Sequence, residues 1–468
     1  MAQSNTRNLS WLALDLRAVG RLPTLGTVFA LLVLAYMVGQ GDWRGAFQLG
    51  MAGLVLFSML AAPHYLGLFT MLAFLGAGAP PVSQVGSLGQ FRWAVLAILA
   101  LGLFFRNSMG VSGSRWHPAQ FSLGIFVCCT LFSTLYSVNS LMTLLKAAAF
   151  GSLLLGALLY GRVESEGGPQ SPCAILDHLF WCAGLAGVGC VAAAVHLLPG
   201  GPMHFRGPFG NPNALGAFIP LVAPVLLLRL SQTTKKEPII RTAYVALAVL
   251  YAVCLLMSRS RTGIIATFVC CAWWLFFSSR KVFTWFVTTG FIGALILFAY
   301  FPGYVDSLNR TFVQKDSPYL LHSRERLLAD SWEAAKANPV LGTGFGVAKG
   351  SSEEWQFGFS SGIAGREKMN SFLALVEEVG LVGAAFLVYP IIWVLAASAR
   401  RLKLIRMFHA SDREYQTVVT LSACLLGGLV DSMGEAWLTA AGFFACVMFW
   451  LIYGVLSTRL TMPLRPRQ

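Results

Sequence analysis

Charge is what this sequence has least of. Asp, Glu, Lys and Arg together make up 12% of its 468 residues, about half the share found in soluble domains. That scarcity excludes an ordinary water-soluble globule. Short segments of alternating polarity are also missing, which excludes a membrane β-barrel. The ten cysteines include no CxxC and no spaced Cys/His set. They lie in or beside apolar runs, as in Cys128-Cys129 and Cys270-Cys271, and read as small buried hydrophobes, not as metal ligands or disulfides. Basic patches interleaved with aromatics do not occur outside the apolar runs, so the net charge of +14 does not point to nucleic acid. Met1 to Arg21 is polar and lacks a short apolar core with a cleavage site, so no removable leader is expected. No internal repeat is visible.

What the sequence has is apolar length: 56% of its residues are hydrophobic, in recurring runs each long enough to cross a bilayer. The expected fold is an all-α, polytopic transmembrane helical bundle of about 12–14 spans with one long external loop containing short helices. The first span runs from Leu22 to Gly39. The block Ala46 to Ala79 is broken by Pro63-His64 and counts as two. Then follow Phe91 to Phe105, Ala119 to Tyr136, Leu141 to Tyr160, Cys173 to Leu198, Pro212 to Leu230, Arg241 to Met257, Thr262 to Phe277 and Val282 to Tyr300. After the loop come Ser371 to Ala397, Tyr415 to Val430 and Ala436 to Leu456. The chain thus divides into residues 1–300, a polar loop 301–370, and residues 371–468.

Strict alternation of these spans puts the basic clusters on one side: Arg7, Arg17 and Arg21; Lys235, Lys236 and Arg241; Arg280 and Lys281; Arg400 to Arg413; Arg459, Arg465 and Arg467. Membrane proteins carry their excess Lys and Arg on cytoplasmic loops. Both termini are therefore expected in the cytoplasm and the long loop outside. Within the loop, Leu328, Trp332 and Ala335 fall at helical spacing after Ser323 as N-cap and before Pro339, which predicts a short amphipathic helix.

Three segments converge on the predicted outer face. His204-Phe205-Arg206-Gly207-Pro208-Phe209-Gly210-Asn211-Pro212-Asn213 opens a span, with Asn211 as cap and Pro212 in the first turn; the N–H groups of such a terminus favour an anion. Ser258-Arg259-Ser260-Arg261-Thr262-Gly263 is a tight turn between two spans. The loop adds Arg324 and Arg326. Arginines near helix ends often only snorkel, but short external loops should be poor in them, and the guanidinium fork suits phosphate. Arg206, Arg259 and Arg261 are therefore candidate phosphate ligands. Glu377 and Glu378 sit about two turns inside a span, where an ionisable group faces a cavity or a partner. The two readings stand equal, the partner being one of the arginines. Asp431 and Glu435 flank the short turn Ser432-Met433-Gly434; they are candidates for a base, with a solvated turn as the preferred account. Lys146 is expected to make a polar contact inside the bundle, and Asp177-His178 is given no role. Gly342-Thr343-Gly344-Phe345-Gly346 has the wrong spacing for a phosphate loop and reads as a glycine-rich turn.

Arg324, Trp332, Asn338 to Gly346, Asn370-Ser371-Phe372-Leu373, Glu378 and Gly380-Leu381-Val382-Gly383, together with Arg206 to Asn213 and Ser260-Arg261-Thr262-Gly263, resemble the O-antigen ligase and O-antigen polymerase superfamily. The resemblance covers Arg206 to Gly383. It implies an integral-membrane, inverting glycosyltransferase that passes a glycan from undecaprenyl pyrophosphate to a hydroxyl of a glycan or lipid acceptor, on the outer face of the inner membrane, with no cofactor and no essential metal. Membrane lipids, and a flippase and chain-length regulator of the same pathway, are the partners it implies. Carried over by position, Arg206 and Arg261 hold the pyrophosphate with Arg259 beside them. Arg324 orders the loop or adds to that clamp, and Asn213, Asn370 and Glu378 order loop and helix ends. Many members have a histidine just before the asparagine that opens the following helix, acting in ligases as general base. Here that position is Met369, which cannot take a proton. Glu367 is the first substitute, His204 the second and His322 the third. The change favours a polymerase of exopolysaccharide or O-antigen repeat units over a lipid A–core ligase. A transporter of an anionic or lipid-linked solute, and an inactive scaffold of polysaccharide assembly, are the competing classes.

Overall fold

The fold is seen in a computed structural model that describes residues 63–79, 86–107, 116–166, 168, 171–197, 205–233, 237–300, 322–348, 368–407 and 412–463. These residues form thirteen α-helices and no strand. In chain order they are α1 (Tyr65–Ala77), α2 (Gly86–Arg106), α3 (Pro118–Phe132), α4 (Ser140–Ser165), α5 (Ala174–Leu197), α6 (Pro212–Gln232) and α7 (Pro238–Ser258). Then come α8 (Arg261–Ser278), α9 (Arg280–Tyr300), α10 (His322–Ala337), α11 (Ser371–Met407), α12 (Asp412–Ser432) and α13 (Phe444–Thr461). Eight helices among the described residues are long and apolar enough to cross a membrane. The protein is a polytopic all-α membrane protein. The expected spans Leu22 to Gly39 and Ala46 to residue 62 lie outside the described residues.

Helix α13 is the centre of the bundle, with Phe449, Trp450, Tyr453 and Leu456 all fully buried. It meets α4 backbone to backbone. A Cβ on Gly454 would overlap the Ala157 carbonyl, and one on Gly161 would overlap the Gly454 carbonyl. Small residues replace the hydrophobic effect as the means of association inside a membrane, because they let backbones approach closely. A second close approach, Gly216 of α6 against Gly263 of α8, draws the N-termini of those two helices together.

Hydrogen bonds sort the loops into two ends. At one end Gln232 Nε2 donates to Gln416 Oε1 at 2.9 Å, Tyr415 Oη to the Phe277 carbonyl at 2.7 Å, and Arg401 to the Met462 carbonyl at 2.7 Å and to Glu414 at 2.5–2.9 Å. Arg229 pairs there with Asp177, which gives that aspartate a partner the sequence did not supply. The termini of α6, α7, α8, α9, α11 and α12 that carry the basic clusters all fall at this end. At the other end lie Tyr136 to Asn139, Phe205 to Asn213, Arg259 to Arg261, Leu341 to Val347, Lys368 to Ser371 and Met433 to Trp437.

Three expectations are corrected. Helix α13 begins at Phe444, not at Ala436. Residues Glu435 to Phe443 turn instead, because Trp437 Nε1 is drawn to the buried Asp431 carboxylate at 2.9 Å and the Leu438 carbonyl accepts from Trp450 Nε1 at 2.9 Å. The loop helix α10 begins at His322, so Ser323 lies inside it. Its buried face carries Ser331 and Ala335, while Trp332 is 54% exposed beneath Lys336, whose Nζ is 5.2 Å from the ring centroid.

The α4–α13 contact yields a test. Gly454→Ala forces two backbones apart, at a cost of about 1–3 kcal/mol or more. Gly184→Ala, in open space, costs nothing. Thermal unfolding in detergent should show a lowered Tm for the first only.

Candidate functional site

The site is built from three helix N-termini. Asn211 caps α6, its Oδ1 accepting from the Asn213 amide at 2.8 Å, and Pro212 takes the first position, where no amide hydrogen is needed. The segment before it is fixed at both ends. The Phe205 amide donates to the Met257 carbonyl at 3.3 Å, and the Phe209 ring stacks on Phe444 with centroids 4.9 Å apart. Arg206, between these anchors, is exposed; its guanidinium lies 3.5 Å from the Gly210 carbonyl.

Helices α7 and α8 are joined by Arg259 and Ser260 alone. So short a link requires a left-handed residue, and Arg259 supplies it at φ 53°, a conformation that costs roughly 1–2 kcal/mol without glycine. Ser260 is buried and caps α8, its Oγ accepting from the Gly263 amide at 3.4 Å. Arg261 is the first residue of α8. Asn370 caps α11, with Oδ1 accepting from the Phe372 and Leu373 amides at 2.9 and 3.0 Å.

The turn between α12 and α13 ties these termini together. The Met433 carbonyl accepts from Asn370 Nδ2 at 2.7 Å, and the Glu435 carbonyl from Ser371 Oγ at 2.8 Å. The Glu435 side chain reaches the other way, its Oε1 accepting from Asn213 Nδ2 at 2.8 Å. Each helix start presents amide hydrogens and the positive end of a dipole. With Arg206, Arg259 and Arg261 on the same end, the arrangement suits an anion.

Beside this cluster α11 is broken. Gly380 has φ 66° and ψ −176°, which stops the helical hydrogen bonding. The glycine-rich segment pairs with the break. The Thr343 and Gly344 amides donate to the Glu377 and Glu378 carbonyls at 2.9 and 3.0 Å, and the Leu381 amide donates to the Pro339 carbonyl at 2.8 Å. Phe345 is buried against Phe126 and Phe150. Tyr136 Oη donates to the Leu341 carbonyl at 2.6 Å; burial raises its phenol above the usual range, so it stays a donor. The Gly342 to Gly346 turn is thus a splice into a helix.

Among the described residues, Glu377 and Glu378 meet a lysine. Their partner is Lys368, whose Nζ is 2.7 Å from Glu378 Oε1 and 3.6 Å from Glu377 Oε1. Lys368 also donates to the Val347 carbonyl at 3.1 Å, and Glu378 Oε2 accepts from the Gly346 amide at 2.9 Å. Lys146 donates to the Gly346 carbonyl at 2.5 Å. Asp431 is fully buried against Trp437, so that carboxylate is not solvated as expected, while Met433 in the same turn is half exposed.

Of the sequence-derived candidates, Arg206, Arg259, Arg261, Asn213 and Asn370 therefore meet at one end, with Glu378 behind them. Arg324 lies in the first turn of α10, a helix that packs on α11. Glu367 and His204 lie outside the described residues, and His322 opens α10. Met369 is half-buried between Lys368 and the Asn370 cap. Sequence reading missed Lys368 and undervalued Glu435. No spacing rule relates Lys368 to Glu378, because a loop and a helix start lie between them.

Residues 246–388 match the family model described as O-Antigen ligase. This segment is similar to the O-antigen ligase family. It covers just under a third of the chain and supports a likeness to the O-antigen ligase and polymerase superfamily. The matched segment includes Arg259, Arg261, Arg324, Lys368, Asn370, Glu378 and the break at Gly380; Arg206, Asn213 and Glu435 are supplied from outside it. No curated protein matches the chain.

The ion pair behind the site is testable. Removing one partner of a buried pair costs about 3–5 kcal/mol, so Lys368→Met should lower the Tm in detergent strongly. Lys336→Met, which breaks an exposed contact with Glu333, should leave it unchanged.

Proposed function

We propose that this O-antigen ligase family protein is an inverting glycosyltransferase of the inner membrane. It moves a glycan from undecaprenyl pyrophosphate to a hydroxyl acceptor, and polymerises exopolysaccharide or O-antigen repeat units. The observation that carries this reading is the meeting of three helix N-termini with Arg206, Arg259 and Arg261 at one end of the bundle. A pyrophosphate leaving group gains negative charge as its bond to the sugar breaks. Preorganised donors aimed at that charge are the largest single contribution to many such reactions, and Arg binds phosphate oxygens in pairs.

Orientation supports the same reading. Arg241, Arg280, Lys281, Arg401 and Arg413 fall at the opposite end, which the charge rule assigns to the cytoplasm; with the spans alternating, both termini then face inward and the site outward. The donor is a membrane lipid, so its pyrophosphate reaches a helix-end site without leaving the bilayer surface. Arg324 adds charge from the loop helix or orders it. Polymerisation is preferred over ligation to lipid A–core because Met369 stands where the ligases this chain resembles have a histidine. Transport finds less support: the broken helix α11 has its break filled by the glycine-rich segment instead of lining a path, unlike the interrupted helices of transporters.

In cells whose own copy is deleted, the wild-type gene should restore polymer, and Arg261→Ala should not, with a loss of about 10²–10³-fold in turnover and accumulation of lipid-linked repeat units. Arg280→Ala, at the other end, should behave as wild type. Polymer restored in full by Arg261→Ala at equal expression would overturn the proposal.

A further inference from the structure

A transfer of this kind needs a group to receive the acceptor's proton, and the geometry assigns that role by position. Around the helix N-termini the described residues place few carboxylates. Glu377 and Glu378 sit behind the glycine-rich splice, committed to Lys368. Asp431 is fully buried and holds the Trp437 indole. Glu333 stands on the outside of α10, three-quarters exposed, beside Lys336. Met369, Asn370 and Ser371 offer a thioether, a capping amide and a hydroxyl already bonded to the Glu435 carbonyl.

Glu435 differs from all of these. It is half-buried, and it is fixed from two directions. Ser371 Oγ holds its main chain at 2.8 Å, and Asn213 Nδ2 holds its Oε1 at 2.8 Å. Its carboxylate therefore stands between the starts of α6 and α11, next to the α6–α8 crossing that carries Arg261. We propose that Glu435 is the catalytic base of this site. The inference rests on the transferase reading above.

The step balances as follows. The acceptor O–H bond breaks and its proton passes to the Glu435 carboxylate. The acceptor oxygen forms the new bond to the anomeric carbon. The bond from that carbon to the phosphate oxygen breaks, and its electron pair leaves on the lipid pyrophosphate.

The test uses the purified full chain in lipid nanodiscs, with lipid-linked repeat units extracted from the deletion cells as donor. Glu435→Gln keeps an oxygen for Asn213 but cannot accept the proton. Turnover should fall about 10²–10⁴-fold, while Tm and the thermal shift given by undecaprenyl pyrophosphate stay at wild-type values. Formate added to Glu435→Ala should restore part of the lost rate, which a structural role would not allow. Turnover of Glu435→Gln within threefold of wild type overturns the assignment, as does loss of both Tm and pyrophosphate binding in that variant. Arg261→Ala in the same assay separates the two claims. If it is inactive while Glu435→Gln is active, only the base is wrong; if it is fully active, the arginine site is wrong; no turnover by the wild-type chain means that the transferase reading itself fails.

Discussion

The break in α11 at Gly380 is the constraint on which the rest of the loop end depends. A helix in lipid satisfies its own backbone, and any interruption exposes amides and carbonyls that water cannot reach. Here the exposed groups around Gly380 are met by the main chain of Pro339 to Gly344, laid against them in register. The splice needs glycine at several points of closest approach. A Cβ on Gly342 would overlap the Glu378 main chain, and one on Gly380 would overlap the Val340 carbonyl. Lys368, Glu377 and Glu378 then lock the far side of the same join. The join fixes the entry of α11, and with it the Asn370 cap and the turn at Glu435.

From that anchor the electrostatics follow. Helix starts are usually scattered over a bundle, whereas here α6, α8 and α11 begin side by side, drawn in by the Gly216–Gly263 crossing and by the hydrogen bonds of Asn213, Asn370 and Ser371. Near a low-dielectric bundle their partial charges add instead of being screened. The matched segment supplies two of these three starts, and α6 with Arg206 comes from outside it. The proposed anion site is therefore composite, made by the matched segment and its flanks.

Much of this was legible in the sequence, for local reasons. Hydropathy gave the spans, and short-range rules gave the cap and first turn at Asn211-Pro212 and the tight turn at Arg259-Ser260, which are confined to a few consecutive residues. The gathering of the described basic residues between Arg241 and Arg413 at one end followed from counting spans. What was not legible depends on distant parts of the chain. Lys368 finds Glu378 only because the loop returns over the broken helix. The apolar run from Ala436 reads as helix, yet Trp437 and Leu438 are claimed by Asp431, Ser371 and Trp450, and the helix waits until Phe444. The exposed Trp332 misled for a related reason: helical spacing shows which residues share a face, not whether that face meets a neighbour.

The most direct test of the central claim, that the three helix starts and their arginines form the donor's pyrophosphate site, is an electron cryomicroscopy map of the full chain with lipid-linked donor bound. The account expects two phosphate densities at the starts of α6 and α8, within about 3 Å of the Arg261 guanidinium, with the lipid chain running down the outside of the bundle. Phosphate density at the opposite end, beside Arg229 or Arg401, with none near Arg206 and Arg261, would contradict it.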